Sequence, residues 1–111
     1  MTEPRLRTGL WVQAILRRLD LSGFPAVLVH RGDDIAGTVM VKIVEHRNGV
    51  RVLTRRTGPD GWVWHAASGE APEAEPEADA RIARERARDP DLWVIEVEDP
   101  RARFDVARDL G

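Results

Sequence analysis

Six consecutive residues, Leu92 to Val97 (Leu-Trp-Val-Ile-Glu-Val), constrain this chain more than any other stretch. They are rich in β-branched and aromatic types and fenced by Asp89-Pro90-Asp91 before and Glu98-Asp99-Pro100 after. That is the composition and punctuation of a strand, too short for an independent helix. Alternation sends Leu92 and Val94 to one face and Trp93, Ile95 and Val97 to the other. Both faces are apolar, so the strand belongs centrally in a sheet with cover on both sides. Glu96 and Glu98 then turn outward as it leaves the core. Two carboxylates at that spacing suit acid–base chemistry or a divalent cation, but more often such a pair solvates a strand end.

The rest of the chain supplies the sheet and its cover. Thr8 to Leu21 carries Trp11, Ile15 and Leu19 at helical spacing, with Val12 and Leu16 widening the stripe. Thr8 is the expected N-cap and Ser22-Gly23 the stop. Pro25 opens a strand over Ala26–Arg31 that is apolar on both faces. Gly32–Gly37 is a turn, and Thr38 to Glu45 returns as a strand.

Asn48-Gly49 is the strongest hairpin signal in the chain. A two-residue turn there pairs Arg47 with Val50, Glu45 with Val52 and Ile43 with Thr54. It predicts one face of Val39, Val41, Ile43, Val50 and Val52, and an opposite face of Met40, Lys42, Val44, Arg51, Leu53 and Arg55. Gly58-Pro59-Asp60-Gly61 makes the next turn into Trp62–Ala67. Two registers fit it: one sets Arg55 across from Trp64, the other slips by one residue and reverses which way Trp62 and Trp64 point. A polar loop from Ser68 to Glu75 leads to a second helix from Pro76 to about Asp89, acidic at its start and arginine-rich at its end. Its apolar side is thin (Ala74, Ala78, Ile82), so it docks lightly. Phe104, Val106 and Leu110 offer a tail that anchors or frays; fraying is expected at 1–7 and 105–111.

The fold class expected is therefore α+β: a helix, a four-strand antiparallel meander, a helix and a final strand, in one antiparallel sheet of about five strands with helices packed on it. A chain of 111 residues is one domain, residues 1–111.

Composition excludes more than it proposes. With no cysteine there is no disulfide framework, thiolate metal site or cysteine nucleophile. No apolar run is long enough to span a bilayer, and Met1–Arg7 lacks the apolar core of a signal peptide, so a cytoplasmic location without membrane contact is expected. Of 17 basic residues only Lys42 is lysine. The pattern fits a GC-rich genome, which weakens arginine abundance as a sign of phosphate binding. Residues 1–68 carry ten basic and six acidic groups, residues 69–111 seven and thirteen. Such asymmetry suits a polyanion-binding face, or two halves that complement each other within one fold.

Three functional readings follow. Ser22 and Ser68 are the only serines, neither in a nucleophile elbow, and Gly32–Gly37 lacks the Lys-Ser/Thr ending of a phosphate loop. An enzyme or metal site would have to draw on His30, Asp33 and Asp34 with Glu96 or Glu98, a set without recognised metal spacing. Arg51, Arg55 and Arg56 beside Trp62 and Trp64 give the recipe for single-stranded nucleic acid, stacking plus phosphate contact, against a net charge of −2. The third reading is a non-enzymatic module that binds a protein partner or a second copy of itself, through an edge strand, the charged face of the second helix or the acidic loop. No cofactor is called for.

Three segments together, Gly9-Leu10-Trp11-Val12-Gln13-Ala14-Ile15-Leu16-Arg17-Arg18, Arg31-Gly32-Asp33 with Ala36-Gly37, and Asp89–Asp99, resemble a family of small alphaproteobacterial proteins known as DUF1491. The resemblance runs in order over nearly the whole chain. It implies a single compact cytoplasmic domain and transfers no activity, cofactor or site residue.

Overall fold

The structure is a computed structural model and describes residues 7–59, 61–69 and 71–111. The strand at Trp93–Glu98 (β5) lies in the interior of a five-stranded sheet. On one side it pairs antiparallel with β1 (Ala26–His30), and on the other parallel with β2 (Val39–Val44). The sheet continues through β3 (Val50–Gly58) to β4 (Gly61–Ala66), in the order β1-β5-β2-β3-β4. The sheet is therefore mixed, and the meander is interrupted: β5 inserts between β1 and β2. Its two apolar faces are the reason, since only a strand with cover on both sides gains from that position.

Helix α1 (Thr8–Leu21) covers one face. Val12, Ile15 and Leu19 pack there with Val39, Val41, Ile43, Leu53, Trp93, Ile95 and Val97. The tail joins the same core through Phe104 and Leu110, the latter in α3 (Val106–Leu110), and Arg18 donates to the carbonyls of Arg108 and Gly111. These contacts tie the tail to the core; of the 1–7 segment expected to fray, residues 1–6 lie outside the described residues. Helix α2 (Glu75–Arg88) lies on the other face, where Ala78 and Ile82 meet Met40, Val44, Val50, Val52, Leu92 and Val94. Two buried side chains confirm a light dock. Among the described residues no helix is long and apolar enough to cross a membrane.

Two local expectations are corrected. Thr8 is the first helical residue, with Arg7 at the cap, and the Thr8 hydroxyl donates to the Ile35 carbonyl instead of capping the helix. The Asn48-Gly49 hairpin is wider than a two-residue turn: Val44 pairs with Val50, Lys42 with Val52 and Met40 with Thr54. Glu45 N–H closes the loop on the Gly49 carbonyl, and both His46 and Gly49 adopt positive φ. The shift is by an odd number of residues, so it turns β3 over. Val50 and Val52 lie under α2, with Met40, Lys42 and Val44, while Leu53 and Arg55 lie under α1. In the β3–β4 hairpin Arg55 stands across from Trp64, the first of the two registers.

Candidate interaction surface

β1 is a free edge of the sheet and exposes a run of apolar side chains. Val27 is 56% exposed, Leu28 39% and Val29 50%. The cause is geometric. Val27 lies on the face of Glu96, where α2 packs over β2 and β3, and no strand lies beyond β1.

Its backbone is equally open. Glu98 N–H donates to the Pro25 carbonyl at 2.9 Å, and the register sets Ala26 opposite Val97 and Val27 opposite Glu96. In an antiparallel ladder, residues alternate between bonding this partner and pointing away. Val27 thus bonds β5, while the N–H and C=O of Ala26 and Leu28 point to the free edge. A bulge between Leu28 and His30 ends the regular run. Natural edges usually carry lysine, proline or a charge that discourages pairing; the regular part of this one carries none.

A cleft of about 560 Å³ lies between the segment before β1 and the segment after β5. Phe24, Pro25 and Pro100 line it with Glu98, Asp99, Arg101 and Arg103. The Arg103 guanidinium lies 5.3 Å from the Phe24 ring centroid. Of the carboxylates beside it, buried Asp99 accepts from the N–H groups of Arg103 and Phe104, and Glu98 pairs with His46.

The arginine–tryptophan group is only partly assembled. Arg55 lies between two indoles, 4.5 Å from the Trp11 centroid and 3.9 Å from that of Trp62, and Trp64 packs on Trp11 at 5.9 Å. It is 3% exposed, and burial pushes its pKa down to about 10, so it stays charged at neutral pH. Arg51 shares that face but faces Glu45 at 3.3 Å, and Arg56, across from Val63, points to the opposite face. Trp62, 47% exposed, lines a cleft with Arg55 and Arg56, and Glu85 and Asp89 line it too. Those carboxylates oppose a phosphate there.

His30, Asp33 and Asp34 hold the chain together. His30 Nδ1 donates to the Leu92 carbonyl at 2.7 Å. The Asp33 carboxylate accepts from the N–H groups of Ile35 and Ala36, and Asp34 sits 3.8 Å from Arg31. Glu96 is engaged by Lys42, and Glu98 by His46. Among the described residues no group of three or more His, Cys, Asp or Glu is placed to hold a metal ion.

The same loop explains the residues that mark the chain's resemblance. Asp33 N–H donates to the Asp91 carbonyl, Trp93 Nε1 donates to the Asp33 carbonyl at 2.7 Å, and Trp93 N–H donates to Thr38. A Cβ on Gly32 or Gly37 would fall 2.1 or 2.4 Å from the Asp91 carbonyl oxygen. Only glycine lets the 31–37 loop close on the entry to β5.

Comparison with known proteins agrees with the geometry. A family model described as "Protein of unknown function (DUF1491)" matches residues 6–106. A crystal structure of a DUF1491 family protein from Caulobacter crescentus CB15 is 39% identical, with 86% of this chain and 90% of that chain covered and a TM-score of 0.76. An NMR structure of a DUF1491 family protein from the same organism is 38% identical, covers 91% of this chain and 92% of that one, and has a TM-score of 0.78. A solution structure of a protein from A. tumefaciens, 23% identical over 86% of this chain and 87% of that one, shares the fold at a TM-score of 0.72. Among curated proteins none matches the chain.

Proposed function

The chain belongs to the DUF1491 family, and we propose that it is a non-enzymatic protein-interaction module of the cytoplasm whose docking surface is the outer edge of β1. One observation carries the reading: Val27, Leu28 and Val29 are all exposed on a strand whose outward amides and carbonyls at Ala26 and Leu28 have no strand beside them. An added strand satisfies those groups and covers the apolar side chains at once, the mode of β-augmentation. The strand comes from a protein partner or from a second copy of the chain.

The test compares proteins captured from the native lysate by the wild type and by Val27→Lys, after nuclease treatment. Lysine at an edge discourages strand pairing. Loss of the captured set with Val27→Lys, and its retention with Trp62→Ala, supports the reading. Retention with Val27→Lys rejects it.

A second reading rests on the exposed Trp62 indole in the cleft that Arg55 and Arg56 also line: a weak single-stranded nucleic-acid binder. Its affinity would fall steeply with salt and with Trp62→Ala. Salt-insensitive binding would remove it.

A further inference from the structure

We infer that the cleft lined by Trp62 binds a small zwitterion of amino-acid or dipeptide size, its carboxylate toward Arg55 and Arg56 and its ammonium toward Glu85 and Asp89. The inference is independent of the β1 edge, since β3 and β4 lie at the other margin of the sheet.

The cleft holds about 350 Å³, near the small end for ligand pockets. Buried Met40 and Leu92 line it with the Trp62 indole and offer apolar contact. Its charges come from two elements. β3 supplies Arg55 and Arg56, and the C-terminal end of α2 supplies Glu85 and the cap residue Asp89. Groups of opposite sign in so small a space ordinarily neutralise each other. Here, among the described residues, neither arginine meets a carboxylate, Asp89 meets no cation, and Glu85 pairs with Arg88 instead. The two signs share the cleft without closing on each other.

Arg55 is the group left most in need. It is buried, its Nε has no acceptor among the described residues, and its bond to the Thr8 hydroxyl is long at 3.5 Å. Buried polar atoms are almost always satisfied, so an unfilled donor marks a missing partner. Trp11 and Trp62 stack on the guanidinium, but ring faces do not fill its in-plane N–H donors. Thr8 opens α1, whose first turn carries no acidic residue, so the helix dipole adds to the positive potential. That side calls for an anion, while Glu85 and Asp89 resist a polyanion. A ligand with one charge of each sign meets both conditions.

The experiment titrates the isotope-labelled full chain with a panel of free L-amino acids and dipeptides, each beside its N-acetyl and C-amide derivatives. Binding is read by NMR at the Trp62 indole N–H and the amides of Gly37 and Thr38, which line the same cleft. Saturable shifts with a free zwitterion are expected. Removal of either charge should weaken binding about tenfold, whether by capping the ligand or by Arg56→Gln or Asp89→Asn, as loss of a charge-assisted contact implies. Arg56 is exposed, and asparagine keeps the acceptor for the Asp91 N–H, so both variants should fold as the wild type does. Val27→Lys should leave the binding unchanged. Equal binding of capped ligands, indifference to both cleft variants, or no saturable shift from any member of the panel overturns the inference. Salt-dependent shifts at the same groups with oligothymidylate, and none with the panel, overturn it in favour of nucleic acid.

Discussion

Val27 and Glu96 stand opposite each other in the β1–β5 ladder, yet Glu96 turns to Lys42 Nζ at 3.1 Å and leaves Val27 without cover. One side chain is drawn into the body of the sheet, the other abandoned at its margin. Val27→Lys should therefore alter folding stability by less than about 0.5 kcal/mol, as for an exposed surface position. Urea denaturation measures it. A larger loss would mean that Val27 is covered within the chain.

Lys42 is the counterpart inside. It is buried under α2, and its ammonium meets Asp79 at 2.8 Å, Glu75 at 2.7 Å and Glu96 at 3.1 Å. Burial opposes the charge, but the hydrogen bonds to Asp79, Glu75 and Glu96 outweigh it and hold the ammonium above the usual lysine range. A folded pKa above the unfolded one gives stability that is complete below about 10.5 and lost as pH rises through the folded value. Lys42→Met should cost about 2 kcal/mol at neutral pH, at the lower side for a broken buried ion pair because the carboxylates are partly solvated. It should also remove the alkaline decline, read from the urea midpoint against pH.

Glu73 gives the acid limb. Its backbone bridges to Val50 and its carboxylate takes two bonds from Arg81, which hold its pKa below the usual glutamate range. That contribution is present above the unfolded pKa and is lost as pH falls through the folded one. Glu73→Gln should lower stability at neutral pH and show a shallower acid decline than the wild type.

Arg55 depends on shape as well as charge. A flat guanidinium fits between the Trp11 and Trp62 rings, and an ammonium does not fill the same slot. Arg55→Lys should cost about 1–2 kcal/mol, and in a double-mutant cycle with Trp62→Ala the losses should be less than additive.

Gly32 and Gly37, where the 31–37 loop closes on the entry to β5, leave no room for a side chain. Gly37→Ala places a Cβ 2.4 Å from a backbone oxygen, so the loop or β5 must move, at a cost of about 2–3 kcal/mol.

How far the sequence disclosed this molecule depended on the range of the interaction concerned. Leu92 to Val97 announced a central strand because cover on both faces is written in its own side chains. The α1 stripe and the Ser22-Gly23 stop are local in the same way. The hairpin at Asn48-Gly49 misled because turn chemistry is read over a few residues, while its register answers to which valines α2 covers. Insertion of β5 between β1 and β2 is a long-range pairing with no local mark. The exposed edge of β1 follows from that insertion. Ala26–His30 reads as apolar on both faces, and nothing in those five residues says that one flank stays open. Arg55 beside the tryptophans was legible as a neighbourhood, but its burial between Trp11 and Trp62 needed α1 placed above the sheet.

The most direct test of the β1 edge is residue-resolved amide hydrogen exchange, with the chain alone and in complex with the partner it captures. In the free chain the outward N–H groups of Ala26 and Leu28 should exchange far faster than that of Val27, which bonds β5. On binding, both should slow by at least tenfold while the α2 surface is unchanged. Fast exchange at Ala26 and Leu28 that persists in a saturated complex would contradict the account.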